Sequence, residues 1–202
     1  MPLAKNTDSK ISEDEYLQGE LISEVKHEYI NGYVYAMAGA SRNHNRISNN
    51  LIRELGNDLK QKKISCEVFS TDMKVRVSEE NTSFFYPDVL VTCDPDDNDS
   101  EYYVTSSVII VEVLSKSTRK YDLTTKKLYY FNIPTLEEYV VIEQDICEVE
   151  VFRKSDDWRS TSYFLGDEIT CDSIQTTISV EDIYYHVDNE DTVNFLKEKE
   201  DN

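Results

Sequence analysis

The chain has 202 residues, 39% of them hydrophobic, enough for one domain with a buried core and too few for two comfortable ones. A formal net charge of −19 argues against a protein that coats nucleic acid through a general basic surface. No apolar run approaches a membrane span, and the N-terminus, M-P-L-A-K-N-T-D-S-K, lacks the apolar centre of a signal peptide, so the expected location is the cytoplasm.

Residues 1–10 are polar and read as a flexible tail. Ser12 and Glu15 have the spacing of a capping box and open a short helix. Asn31-Gly32 lies between two β-prone runs, and a type I′ turn there makes a hairpin with Glu28 on its first arm. From about Asn43 to Lys62, Ile47, Leu51, Leu55 and Leu59 recur every four positions, which predicts an amphipathic helix. Residues 66–77 alternate well enough for a strand, E-E-N-T-S turns the chain, and F-F-Y-P-D-V-L-V is the next strand. Pro87 has no backbone donor, so it belongs at an edge, bulge or bend. Ser107 to Leu114 is apolar on both faces, as in a central strand of a mixed or parallel sheet.

Thr118 through Asn132 reads as a helix with Leu123, Leu128 and Phe131 inward, ended by Pro134. Glu138–Glu143 is a strand with a β-branched centre, and the run from Ile146 to Lys154 alternates like a half-exposed antiparallel strand. Weaker strands follow around Tyr163 and Ile169, then a short helix capped by Ser179. The order from Asn43 to Glu143 is helix, three strands, helix, strand. We therefore expect one α/β domain over residues 11–187, with a mixed central sheet, added hairpins and a second flexible tail at 188–202. The cysteines, Cys66, Cys93, Cys147 and Cys171, have no zinc-site spacing and read as buried thiols of a reducing compartment.

Asp88 and Glu112 each sit in an apolar, β-branched run, where a carboxylate is costly unless paired or bound to a metal. Lys116, Arg119, Lys120, Lys126 and Lys127 follow closely. Attack on a phosphodiester builds negative charge, which a divalent cation held by carboxylates neutralises while lowering the pKa of bound water. Mg²⁺ takes one or two protein carboxylates, so Asp88 and Glu112 suffice, with the Val113 carbonyl as a further ligand. The structural alternative for both acids is a buried ion pair.

The segments K-H-E-Y-I-N-G, H-N-R-I, P-D-V-L-V, V-E-V-L-S-K-S-T, Y-D-L-T-T-K-K-L-Y-Y and L-E-E-Y-V-V-I resemble the Uma family of restriction endonucleases, within the PD-(D/E)XK nuclease superfamily. The resemblance runs from about Ile11 to Arg153. It implies a restriction-endonuclease-like fold, DNA as substrate, Mg²⁺ or Mn²⁺ as cofactor and a homodimer. Asp88 and Glu112 match its two acids. The usual lysine position, two residues after the second acid, holds Leu114 here. Lys126 is the best substitute, since Asp122, Lys126 and Tyr130 share one helical face at i, i+4 and i+8; Lys127 points about 100° away, and Lys116 is a rival on the loop. Glu28 matches a further acid near the metal or pairs with a cation. His44 contacts phosphate, serves in acid–base work, or packs at the helix start. Asp72 reads as structural and Lys74 as a supporting cation. The expected activity is Mg²⁺-dependent DNA cleavage; the alternative is a nuclease fold that binds or regulates without cutting.

Overall fold

The computed structural model describes residues 4–5, 9–77, 82–97 and 100–200. Strand β1 (Ala4–Lys5) pairs antiparallel with β3, so part of the expected N-terminal tail joins a sheet. Helix α1 (Glu13–Glu20) starts at the Ser12–Glu15 capping box, with both reciprocal hydrogen bonds made. Strands β2 (His27–Ile30) and β3 (Tyr33–Ala36) form the hairpin, and Asn31 and Gly32 take φ of 51° and 94°, as its tight turn requires. Helix α2 (Arg42–Lys62) is capped by Ser41, whose hydroxyl accepts from the His44 amide, and it ends at Lys63 in the left-handed region. Ile47, Leu51, Leu55 and Leu59 are buried along one stripe, each worth about 1.5–3 kcal/mol of burial.

The segment read as one strand over 66–77 is two: β4 (Glu67–Ser70) and β5 (Lys74–Val77). A turn closed by Met73 N–H donating to the Ser70 carbonyl sends them into different sheets. Most of the expected E-E-N-T-S turn lies outside the described residues. Next, β6 (Ser83–Phe85) and β7 (Val89–Thr92) divide the run F-F-Y-P-D-V-L-V, with Pro87 at the break. A missing donor stops the ladder there, which is the bend expected of this proline. Strand β8 (Tyr103–Val104) follows, then β9 (Ser107–Leu114).

The predicted helix after β9 is composite. It runs as α3 (Arg119–Tyr121), a π-helical segment over Asp122–Lys126, and α4 (Lys127–Tyr130). Leu128 was expected inward but is 63% exposed. It lies two residues, roughly 200°, from Lys126, and the buried face is taken by Asp122, Lys126 and Tyr130 instead. Strands β10 (Glu138–Glu143), β11 (Glu148–Arg153), β12 (Ser160–Phe164), β13 (Glu168–Cys171) and β14 (Thr176–Ser179) complete the sheets; β14 has no counterpart in the sequence reading. Helix α5 (Val180–Ile183) is capped by Ser179. Where a C-terminal tail was expected, α6 (Glu190–Glu200) forms, and Asp191 Oδ2 accepts from the Cys147 amide at 2.8 Å.

The central sheet has the order β12-β11-β10-β9-β7-β4, mixed because β9 runs parallel to β10 and antiparallel to β7. The fold is α/β, as expected. A second sheet, β1-β3-β2-β6-β5-β8, carries Glu28, and β13 pairs with β14. Alternation along β9 sends Ile109, Val111 and Val113 into the core with α2, while Ile110 and Leu114 face the core that contains Tyr130 and Tyr139. Glu112 is thereby set at an inward position between Ile110 and Leu114.

The expectation of four buried thiols is corrected: Cys66 and Cys93 form a disulfide. The Glu67–Thr92 register puts these two directly opposite at the ends of β4 and β7, with Cα atoms 4.1 Å apart. Cys147 and Cys171 are free and buried, and burial pushes their thiols up to about 11 and about 12. Among the described residues, no helix is long and apolar enough to cross a membrane.

Candidate active site

The site starts from a gap in a ladder. In the β7–β9 register Val89 faces Val111, and one step further sets Pro87 opposite Val113. A residue's N–H and C=O point to the same side of a strand, and Pro87 has no N–H to offer the Val113 carbonyl. The Val113 N–H is instead taken by Asp88, whose Oδ2 accepts it at 2.7 Å. Proline and aspartate together thus end the pairing and turn a carboxylate across the strand ends.

Glu112 lies on β9 beside this gap and is 4% exposed. Its Oε1 accepts from Lys126 Nζ and from the Tyr130 hydroxyl, each at 2.7 Å. Lys126 also reaches Glu28 Oε1, at 2.8 Å, so one ammonium bridges β2 and β9. The rings of Phe85 and Tyr130 lie within 6 Å of Nζ and favour its charge. His44, in the first turn of α2, places Nε2 3.1 Å from Asp88 Oδ2.

These groups wall one cavity of about 290 Å³, together with Asp122, Tyr121, Tyr86 and Gln144. Five sequence candidates therefore meet here: Asp88, Glu112, Lys126, Glu28 and His44. Lys116 does not join them. Its side chain is 89% exposed and pairs with Asp145 at 3.6 Å. Lys127 turns the other way and lies over the Phe152 ring. Lys74 is buried on β5 against Tyr86 and Tyr102, and burial lowers its pKa. Asp72 pairs at the surface with Lys26.

The π segment brings the helical residues into place. Its Lys127 N–H donates to the Asp122 carbonyl, five residues back, which widens one turn. Such turns recur at functional sites because they re-aim side chains within a helix. Asp122 and Lys126 are both buried as a result. Sequence reasoning placed Asp122 only in a spacing pattern and gave Tyr130 no role. It also took Gln144 for a turn residue, although Gln144 Nε2 donates to the Leu114 carbonyl at 2.8 Å and its Oε1 accepts from Ser41. That link ties the end of β9 to the start of α2. A glutamine just after a buried strand carries no signal that separates it from a turn residue.

The electrostatics are those of crowded acids. Burial raises the Glu112 carboxyl well above its usual range, Lys126 opposes the rise, and Asp88 and Asp122 add to it. Burial likewise raises Glu28 and Asp122, again against Lys126. Burial acts to lower Lys126, but Glu112 and Glu28 overcome it and hold the ammonium well above the ordinary lysine value. Four carboxylates thus face one firmly protonated lysine. Asp88, Glu112 and the Val113 carbonyl form the oxygen donor set to which a hard divalent cation is suited. Among the described residues, no group of three or more His, Cys, Asp or Glu side chains stands arranged around a common metal position.

Comparison with known proteins agrees with this fold and site. A protein described as "Uncharacterized protein" from Synechocystis is 37% identical over 177 residues, covering 87% of this chain and 92% of that one. A second uncharacterized Synechocystis protein is 39% identical over 145 residues, covering 71% of this chain and 80% of its own. The fold is similar to that of a crystal structure titled as a "putative nuclease belonging to DUF820" from Anabaena variabilis, with a TM-score of 0.71 at 17% identity, covering 86% of this chain and 97% of that chain. The profile of the Uma2 family, described as "Putative restriction endonuclease", matches residues 13–181. The match takes in every residue of the cavity, and the chain belongs to the Uma2 family.

Proposed function

We propose that this protein is an endonuclease that hydrolyses DNA phosphodiester bonds with Mg²⁺, Mn²⁺ serving as a substitute. The observation that carries the reading is the charge in the cavity: Asp88 and Glu112 wall it from adjacent strands, and Lys126 offsets only part of the buried acid. Asp88, Glu112 and the Val113 carbonyl would hold the cation. When bound, it lowers the pKa of water and neutralises charge that builds on the phosphate.

The chain's own groups do the rest. Lys126, steadied by Glu28, stabilises negative charge that develops on the phosphodiester. Tyr130 fixes the rotamer of Glu112, and His44 braces Asp88 from the α2 side. Cutting both strands of a duplex calls for two such sites, so we take the working form to be a homodimer; a monomeric mass by light scattering would refute that.

Purified protein with Mg²⁺ or Mn²⁺ should cleave DNA, and Asp88→Ala and Glu112→Ala should abolish the cleavage. Equal cutting by those variants would place the activity elsewhere. The non-cutting alternative draws on one feature, that Lys126 and Tyr130 already occupy Glu112 Oε1. Calorimetry separates the two readings, because a folded protein that binds neither metal at millimolar concentration is not this enzyme.

A further inference from the structure

Buried polar atoms almost always have hydrogen-bond partners, and each exception calls for a reason. Two residues on the cavity wall supply such exceptions: Glu28 Oε2 and the Tyr121 hydroxyl. Tyr121 closes α3 immediately before the π segment, and its partly buried ring packs on the core that holds Tyr130 and Leu114. The hydroxyls of Ser41, Ser48, Tyr86 and Thr118, on the same wall, all have hydrogen-bond partners. Lys126 is held by Glu28 and Glu112, and the Val113 N–H by Asp88. Tyr121 is thus a donor facing the cavity with nothing to receive it.

A phosphodiester offers only acceptors on its non-bridging oxygens. A neutral donor is what an acid-rich cavity lacks for such a ligand, since a further lysine would be drawn onto the carboxylates. We propose that Tyr121 is a substrate-contacting residue whose hydroxyl donates to a non-bridging oxygen of the phosphodiester in this cavity. Burial, with Glu28 next in weight, raises the phenol well above its usual pKa, so it remains a donor across the working pH range. The assignment rests on the nuclease reading and names a group that reading does not use.

Tyr121→Phe removes the hydroxyl and keeps the ring. Cleavage by the variant should fall about a hundredfold, the loss typical of one preorganised donor. Its affinity for a labelled duplex, read by anisotropy with Ca²⁺ in place of Mg²⁺, should also fall. Its melting temperature should hold or rise, because a buried hydroxyl without a partner destabilises the folded state. Cutting and binding at the wild-type level overturn the proposal, and so does lost cutting that comes with a lower melting temperature, which marks a structural hydroxyl. Wild-type protein that neither binds nor cuts DNA sinks the nuclease reading itself and this assignment with it.

Discussion

Two buried glutamates lie on the adjacent parallel strands β9 and β10, and their surroundings differ. Glu138, at the start of β10, accepts from the Ser173 hydroxyl at 2.6 Å and has Arg153 Nε 3.4 Å from Oε1. Glu112, near the end of β9, shares Lys126 with Glu28 and has Asp88 and Asp122 acting on it as well. Burial raises both carboxyls. Burial is therefore no mark of function. What separates them is the company: a cation and a serine at Glu138, three further acids and a shared lysine at Glu112. Like charge crowded against a cavity persists in a fold only at some cost in stability, and a cation-dependent site explains it.

The largest test of this contrast exchanges each acid for its amide. Glu112→Gln should lower cleavage about a thousandfold, the several kcal/mol a metal-held carboxylate supplies, while Glu138→Gln cuts like wild type. Comparable losses from both would erase the distinction. Removing the cations should follow the same line. Lys126→Met strands two buried acids and should cost about 3–5 kcal/mol in chemical denaturation. Arg153→Met should cost less, because Ser173 still serves Glu138.

Metal should separate the two glutamates next. Mg²⁺ at about a hundred times its dissociation constant should stabilise wild type and Glu138→Gln by about 2.7 kcal/mol, and Glu112→Gln hardly at all. Equal thermal shifts for all three proteins would move the ion away from Glu112. The smallest effect is in pH. Because the folded pKa of Glu138 is raised from 4.5, its contribution is full below that value and lost as pH rises through the folded pKa. Glutamine never ionises, so Glu138→Gln should gain stability relative to wild type between pH 4 and 7 in urea titrations at both values. A constant difference across that range would mean that Glu138 does not titrate there.

Much of the site was legible in the sequence because a charged residue in an apolar strand contradicts its surroundings. Asp88 and Glu112 stood out for that reason, and Lys126 through its spacing from Asp122 and Tyr130. Tyr121 and Gln144 did not, since a tyrosine or glutamine beside a core has ordinary structural uses. Leu128 misled because helix periodicity assumes that apolar residues face inward, whereas here the inward face carries an acid, a lysine and a tyrosine. The split of residues 66–77 between two sheets was hidden because both halves alternate alike.

By itself the sequence determined the local elements: the capping box at Ser12, the Asn31-Gly32 turn, the α2 stripe and the doubly buried β9. These depend on near neighbours along the chain. It also marked two acids that no core would keep without a purpose. Only the tertiary structure decided that Glu28 and Glu112 share Lys126, that Cys66 meets Cys93 and that the Tyr121 hydroxyl faces the cavity. Those facts join strands far apart in the chain, and sheet register and a π turn set them, neither of which leaves a periodic trace.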